Sequence, residues 1–81
     1  MSVRVLAFAR ARELLGFAQR EFSLVETPTI GALRGKLETA VPELAALRES
    51  TRVARNGRVV DDETALAEGD EVALLPPVGG G

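Results

Sequence analysis

The chain has 81 residues, ten basic and twelve acidic, with no cysteine and no histidine. That length holds one small domain, burying roughly 60–65% of the surface its unfolded form exposes. The composition excludes disulfide frameworks and thiolate metal or iron–sulfur sites and removes the usual zinc ligands and the commonest general base, while a net charge of −2 without a basic stripe offers no nucleic-acid footprint. The opening MSVRVLAFARARELLG has an apolar run too short and too charged for a signal peptide or a membrane span, so a cytoplasmic protein with no membrane partner is expected.

Val3 to Ala9 alternates as a short strand, with apolar side chains on both faces at its far end. Arg10 to Leu15 then has helix formers, and Gly16 stands where a left-handed C-cap stops a short helix. Glu21 to Val25 alternates again, placing Phe22 and Leu24 on one face. Thr27-Pro28-Thr29 breaks that strand, and Thr29 is a good N-cap for a helix beginning at Ile30. Ile30, Leu33, Leu37 and Val41 recur at helical spacing, although Gly31 and Gly35 each cost such a helix about 0.5–1 kcal/mol relative to alanine. Packing against a sheet must therefore hold it. Pro42 ends the helix, and PELAALRE suits a further loose turn.

Asn56-Gly57 is the strongest local signal, because a type I′ turn needs φ > 0 at both central positions; it joins Arg52–Arg55 to Arg58–Val60 as a hairpin. Asp61 to Glu68 is a polar connection holding Leu66. Gly69-Asp70 turns the chain into a last strand, Glu71 to Leu75, with Val72 and Leu74 on one face and Ala73 and Leu75 on the other. Pro76 and Pro77 end pairing, since neither donates to a ladder. One main helix and a short one against a mixed sheet of about five strands gives an α+β domain in the order of a β-grasp, the ubiquitin-like roll. The domain is expected to span residues 1–75, with 76–81 as a flexible arm.

That arm, Pro76-Pro77-Val78-Gly79-Gly80-Gly81, raises the question of function. Pro-Pro stiffens the exit from the sheet, and glycines without Cβ atoms fit a channel too narrow for other residues. Taking Gly81 as the terminal residue, its carboxylate is the one feature suited to chemistry. A free carboxylate is a poor electrophile, so another enzyme must activate it, most simply by adenylation with ATP. The acyl-adenylate then accepts sulfur or an amine.

Three blocks carry a resemblance: VRVLAFARARELLG, TIGALRGKL, and RNGRVVDDETALAEGDEVALLPPVGGG, whose G-D-E-V-A-x-x-P-P-V-x-G-G ending is far more specific than a bare diglycine. Together they resemble the small subunits of molybdopterin synthases, sulfur carriers of the ubiquitin-like family. The resemblance implies that Gly81 becomes an acyl-adenylate and then a thiocarboxylate, and that sulfur passes to a cyclic pyranopterin monophosphate to form the dithiolene. It implies a large-subunit partner in a heterotetramer, a ubiquitin-activating-like adenylyltransferase and a sulfurtransferase. No cofactor is bound by the chain itself, ATP being used by the activating enzyme, and the synthase active site lies on the large subunit, which the segment from Pro76 to Gly81 enters.

A carrier needs a docking face. If Val3, Val5, Val72 and Leu74 face the helix, Leu6, Phe8 and Leu75 point to the other side, with Val59 joining them. The resemblance places Phe8, Val59 and Leu75 against the large subunit. The runs Asp61-Asp62-Glu63 and Arg52, Arg55, Arg58 are expected to be solvated. Three other readings stay open: a thiamine-type sulfur carrier, whose tail lacks the Pro-Pro-Val element; a protein modifier attached through Gly81, for which a single internal lysine, Lys36, suits chain building poorly; and a passive interaction module.

Overall fold

The computed structural model describes residues 1–26 and 28–77. Alternation at the start builds β1 (Ser2–Ala7), with Val3, Val5 and Ala7 buried and Arg4 exposed. The strand is shorter than the apolar run because Ala9, at φ 49°, turns the chain directly into α1 (Ala9–Leu15). Gly16 stops that helix at φ 82°, its N–H donating to the Arg12 carbonyl, as a left-handed cap requires. β2 (Gln19–Ser23) lies two residues earlier than the sequence pattern suggests. Register explains the shift: Ser2 to Leu6 pair antiparallel with Ser23 to Gln19, and beyond them the Leu24 N–H donates to Met1 O while the Met1 ammonium donates to Leu24 O.

Thr29 caps α2 (Ile30–Ala40), its Oγ1 accepting from the Ala32 N–H at 3.1 Å. Two further free donors of the first turn, the N–H groups of Ile30 and Gly31, bond the Thr64 and Asp62 carbonyls of the returning chain. Ile30, Leu33 and Leu37 are buried, and each contributes roughly 1.5–3 kcal/mol, enough to offset the two glycines. Val41 is the helix C-cap and half-buried. A 3-10 segment, Pro42–Ser50, comes next and buries Leu44. Its last carbonyls are taken by side chains: Arg34 Nη2 donates to Arg48 O at 2.6 Å, and the Ser50 and Thr51 hydroxyls donate to Leu47 O.

β3 (Arg52–Arg55) and β4 (Arg58–Val60) form the expected hairpin, with Asn56 at φ 51° and Gly57 at φ 85°. The connection to β5 (Glu71–Leu75) buries Leu66 and makes a bridge from Ala65 to Thr29. The sheet order is β2-β1-β5-β3-β4, with β1 and β5 parallel and every other pair antiparallel. Val3, Val5, Val53, Val72 and Leu74 meet Ala11, Ile30, Leu33, Leu37, Leu44 and Leu66 in one core on one side of the sheet. Among the described residues, the opposite side carries no helix.

Two of the charged runs are not simply solvated. Asp62 accepts from Arg34 Nη1 at 3.0 Å and from Arg48 Nη2 at 2.8 Å, and Arg48 also pairs with Glu38. Arg55 donates to Asp70, which is only 5% exposed. The sequence spacing hides both contacts, because each joins elements far apart along the chain.

Candidate docking face

Side chains alternate across β1, β5 and β3, so the residues between the core positions share the uncovered face. Register aligns them. Leu6 pairs with Ala73, Ala73 with Ala54, and Ala54 with Val59, making one row across four strands. In the next row the pairing of Ala7 with Leu74 sets Phe8 beside Leu75, and Leu75 pairs with Arg52. Phe8 keeps extended backbone, φ −124° and ψ 156°, and so continues the alternation of β1 before Ala9 turns away. The left-handed φ of Ala9 costs a non-glycine residue about 1–2 kcal/mol, a local strain placed next to the aromatic of this face.

Exposure separates this surface from the core. Phe8 is 46% and Val59 56% exposed, and Leu6 and Leu75 are half-buried. None of the four belongs to the apolar cluster around α2. Phe8, Val59 and Leu75, singled out from the sequence, therefore lie together on one face. Ala54 and Ala73 form a shallow trough between Leu6 and Val59. The trough completes a patch of the kind that marks protein contacts, polar at its margins and apolar with an aromatic within it. Ala54 escaped the sequence reading, although the two-residue turn at Asn56-Gly57 already fixes Ala54 opposite Val59.

The face leads into the tail. Pro76 is buried and Pro77 exposed, so packing extends one residue past β5. Val78, Gly79, Gly80 and Gly81, all placed in the functional segment by the sequence, lie outside the described residues.

On the other side of the molecule, the cleft among the described residues is too small to hold a small molecule. The cleft between α1, α2 and the 3-10 segment, lined by Ala11, Leu37, Leu44, Leu74 and the Arg34–Glu38–Arg48 group, holds about 20 Å³, room for one water and far below a ligand pocket. Among the described residues no buried side-chain nitrogen or oxygen lacks a hydrogen-bond partner, and no group of acidic side chains is placed to hold a metal. No helix among them is long and apolar enough to cross a membrane. What the arrangement can do is present an apolar face that continues into Pro76 and Pro77.

Comparison with known proteins agrees along the whole chain. The ThiS family matches residues 5–81. The molybdopterin synthase sulfur carrier subunit of Aedes aegypti is 37% identical over 86 residues, covering 98% of this chain and 88% of that protein. Among solved structures, SAMP1 of Haloferax volcanii, a small archaeal modifier protein, superposes with a TM-score of 0.85 at 30% identity, covering all of both chains. A complex of subunits 1 and 2 of the molybdopterin-converting factor from Helicobacter pylori contains a chain with a TM-score of 0.69 at 26% identity, again covering all of both.

Proposed function

This chain belongs to the ThiS family, and on that premise we propose that it is the sulfur carrier subunit of a molybdopterin synthase, working through a thiocarboxylate on Gly81. The observation that supports this most is full-length similarity to named carrier subunits in a chain whose uncovered sheet face runs directly into the Pro-Pro-Val-Gly-Gly-Gly tail. With neither cysteine nor histidine, the chain supplies a reagent, and partners supply the acid–base groups.

The steps derive from the weakness of a carboxylate as an electrophile. A Gly81 carboxylate oxygen attacks the α-phosphorus of ATP on an adenylyltransferase, and pyrophosphate leaves. Hydrosulfide delivered by a sulfurtransferase then attacks the acyl carbon, displaces AMP and loses its proton, leaving a thiocarboxylate. Docked on the synthase large subunit through Phe8, Val59 and Leu75, the carrier extends Pro76 to Gly81 into that subunit's active site. There the thiocarboxylate sulfur bonds a carbon of cyclic pyranopterin monophosphate and displaces the oxygen that carbon carries. Water then hydrolyses the resulting thioester, leaving the sulfur on the pterin and returning Gly81 as a carboxylate. Each carrier delivers one sulfur, and the dithiolene needs a pair of them.

Intact-mass measurement tests the proposal. Incubated with the adenylyltransferase, ATP and a sulfur donor, the chain should gain the mass of one oxygen-to-sulfur exchange at Gly81, and mixing with large subunit and pterin should remove it. An unchanged mass under conditions that load a known carrier would sink the reading.

The likeness to SAMP1 favours one second reading, conjugation of Gly81 to target lysines, because the activation step is the same. Lys36 is exposed on α2 and is the single lysine, so any chain of this protein joined through lysine has one linkage. High-mass adducts in cells that disappear on deletion of Gly81 would establish this second role.

A further inference from the structure

Among the described residues, the uncovered face contains one cation that the fold itself does not use. Of the arginines in the sheet, Arg4 pairs with Glu71 at 3.6 Å, Arg20 stacks over Phe17 and Phe22, and Arg55 turns inward to Asp70. Arg58 lies opposite Arg55 on the helix side of the hairpin. Arg52 is exposed, and among the described residues it has neither an ion pair nor a side-chain hydrogen bond.

Its position matters more than its freedom. Arg52 is the cross-strand partner of Leu75, the last strand residue before the tail, and it stands two residues before Ala54, the partner of Val59. Directly opposed Cβ atoms lie about 5 Å apart and diagonal neighbours about 7–8 Å. Any protein that covers Leu75 and Val59 together therefore also covers Arg52, and strips water from a guanidinium at the root of the tail. Interface centres are depleted of unpaired charge, because a desolvated cation without an acceptor opposes binding. A guanidinium presents its donors as a planar fork that fits a carboxylate.

We propose that Arg52 is a specificity-determining contact of the docking face, and that the large-subunit partner sets an aspartate or glutamate carboxylate against it. The proposal rests on the docking reading above and adds the chemistry of the partner's matching surface. Hydrophobic contact at Phe8, Leu75 and Val59 supplies adhesion that many apolar surfaces would satisfy. A fixed cation between Leu75 and Val59 rejects partners lacking the acid and fixes the rotation in which the tail meets the active site.

The test compares Arg52→Gln, Arg52→Glu and Phe8→Asp in full-length protein binding the molybdopterin synthase large subunit of the same species, with association and dissociation rates followed at low and high salt. Arg52→Gln should weaken Kd by about thirtyfold or more, chiefly through faster dissociation, and Arg52→Glu should weaken it further. Both variants should keep the wild-type melting temperature. If both bind within about twofold of wild type while Phe8→Asp fails to bind, the Arg52 proposal is overturned and the docking face stands. A loss confined to the association rate that vanishes at high salt would also overturn it, reducing Arg52 to a long-range steering charge. Failure of the wild-type chain itself to bind would bring down the docking reading and this proposal with it.

Discussion

Asn56 Nδ2 donates to Asp70 Oδ1 at 3.0 Å, tying the hairpin turn to the turn that launches β5. The tie is reciprocated by the backbone: Asn56 Oδ1 accepts from the Glu71 N–H and the Asn56 N–H donates to Glu71 O. Asp70 Oδ2 accepts from Arg55 Nε and from the Ala67 N–H, both at 2.8 Å, so both carboxylate oxygens of this buried residue are engaged by donors. Asp70→Asn places an amide N–H₂ against one of those donors and removes the charge facing Arg55. The substitution should cost about 2 kcal/mol and lower Tm by roughly 10 °C, read by thermal melting. The docking face lies on other residues, so binding measured well below the new Tm should be unchanged.

Acid stability has the same origin. Burial alone would raise the Asp70 carboxyl, but hydrogen bonds from Asn56, the Ala67 N–H and Arg55 outweigh it and hold the group below the usual carboxylate range. Asp62 is held low chiefly by the hydrogen bond from Arg48, with partial burial opposing and Arg34 adding to the effect. Both carboxyls bind protons more weakly in the folded chain than in the unfolded one. Their contribution is therefore complete above the unfolded value of about 4 and is lost as the pH falls through the lower folded values. Denaturant midpoints should be nearly flat from about pH 7 to 5 and fall below about pH 4, and the Asp62→Asn/Asp70→Asn double variant should show a shallower fall. Equal slopes for variant and wild type would assign the acid limb to other carboxylates.

The two glycines of α2 are predicted to behave oppositely. A Cβ on Gly35 would meet nothing within 4 Å, whereas one on Gly31 would lie 3.2 Å from both Cβ and the carbonyl oxygen of Asp62. Asp62 cannot retreat easily, because its carbonyl accepts from the Gly31 N–H at 2.8 Å and its carboxylate is held by Arg34 and Arg48. Gly35→Ala should stabilise by about 0.5–1 kcal/mol, the ordinary helix-propensity gain. Gly31→Ala should lose that gain and more, since the helix start and the returning chain must separate. Chemical denaturation of the two single variants decides it, and equal effects would show that the close approach to Asp62 is unimportant.

The same contrast shows what the sequence displays and what it conceals. Local rules place Gly16, Thr29, Asn56-Gly57 and Pro42 correctly, because each acts on its own few residues of backbone. The uncovered face was legible for a related reason: alternation in β1 and β5 sorts Leu6, Phe8 and Leu75 from Val5 and Leu74 before any fold is known. β2 slipped because Glu21 to Val25 alternates as well as its neighbours, and only pairing with Ser2–Leu6 selects Gln19–Ser23. Nothing local in Asp62 marks it as the partner of Arg34 and Arg48, 28 and 14 residues away. Gly31 likewise looks like a mere helix defect until the returning chain is seen to pass against it.

Docking and loading use different parts of the chain and should fail separately. Phe8 is 46% exposed and outside the core cluster, so Phe8→Asp forfeits little burial and should leave Tm within about 2 °C of wild type. It buries a charge against an apolar partner surface, and so should abolish association with the large subunit at micromolar protein. Its Gly81 remains available, so the variant should still gain sulfur wherever the activating enzyme grips the chain without Phe8. Deletion of Gly81, or addition of a residue after it, should do the reverse: wild-type Tm, wild-type affinity for the large subunit within about twofold, and no sulfur transfer. A Gly81-deleted chain that competes with loaded wild-type carrier and poisons the synthase reaction is the outcome that separates a consumable sulfur donor from a passive binding module, because a passive module does not depend on its last residue.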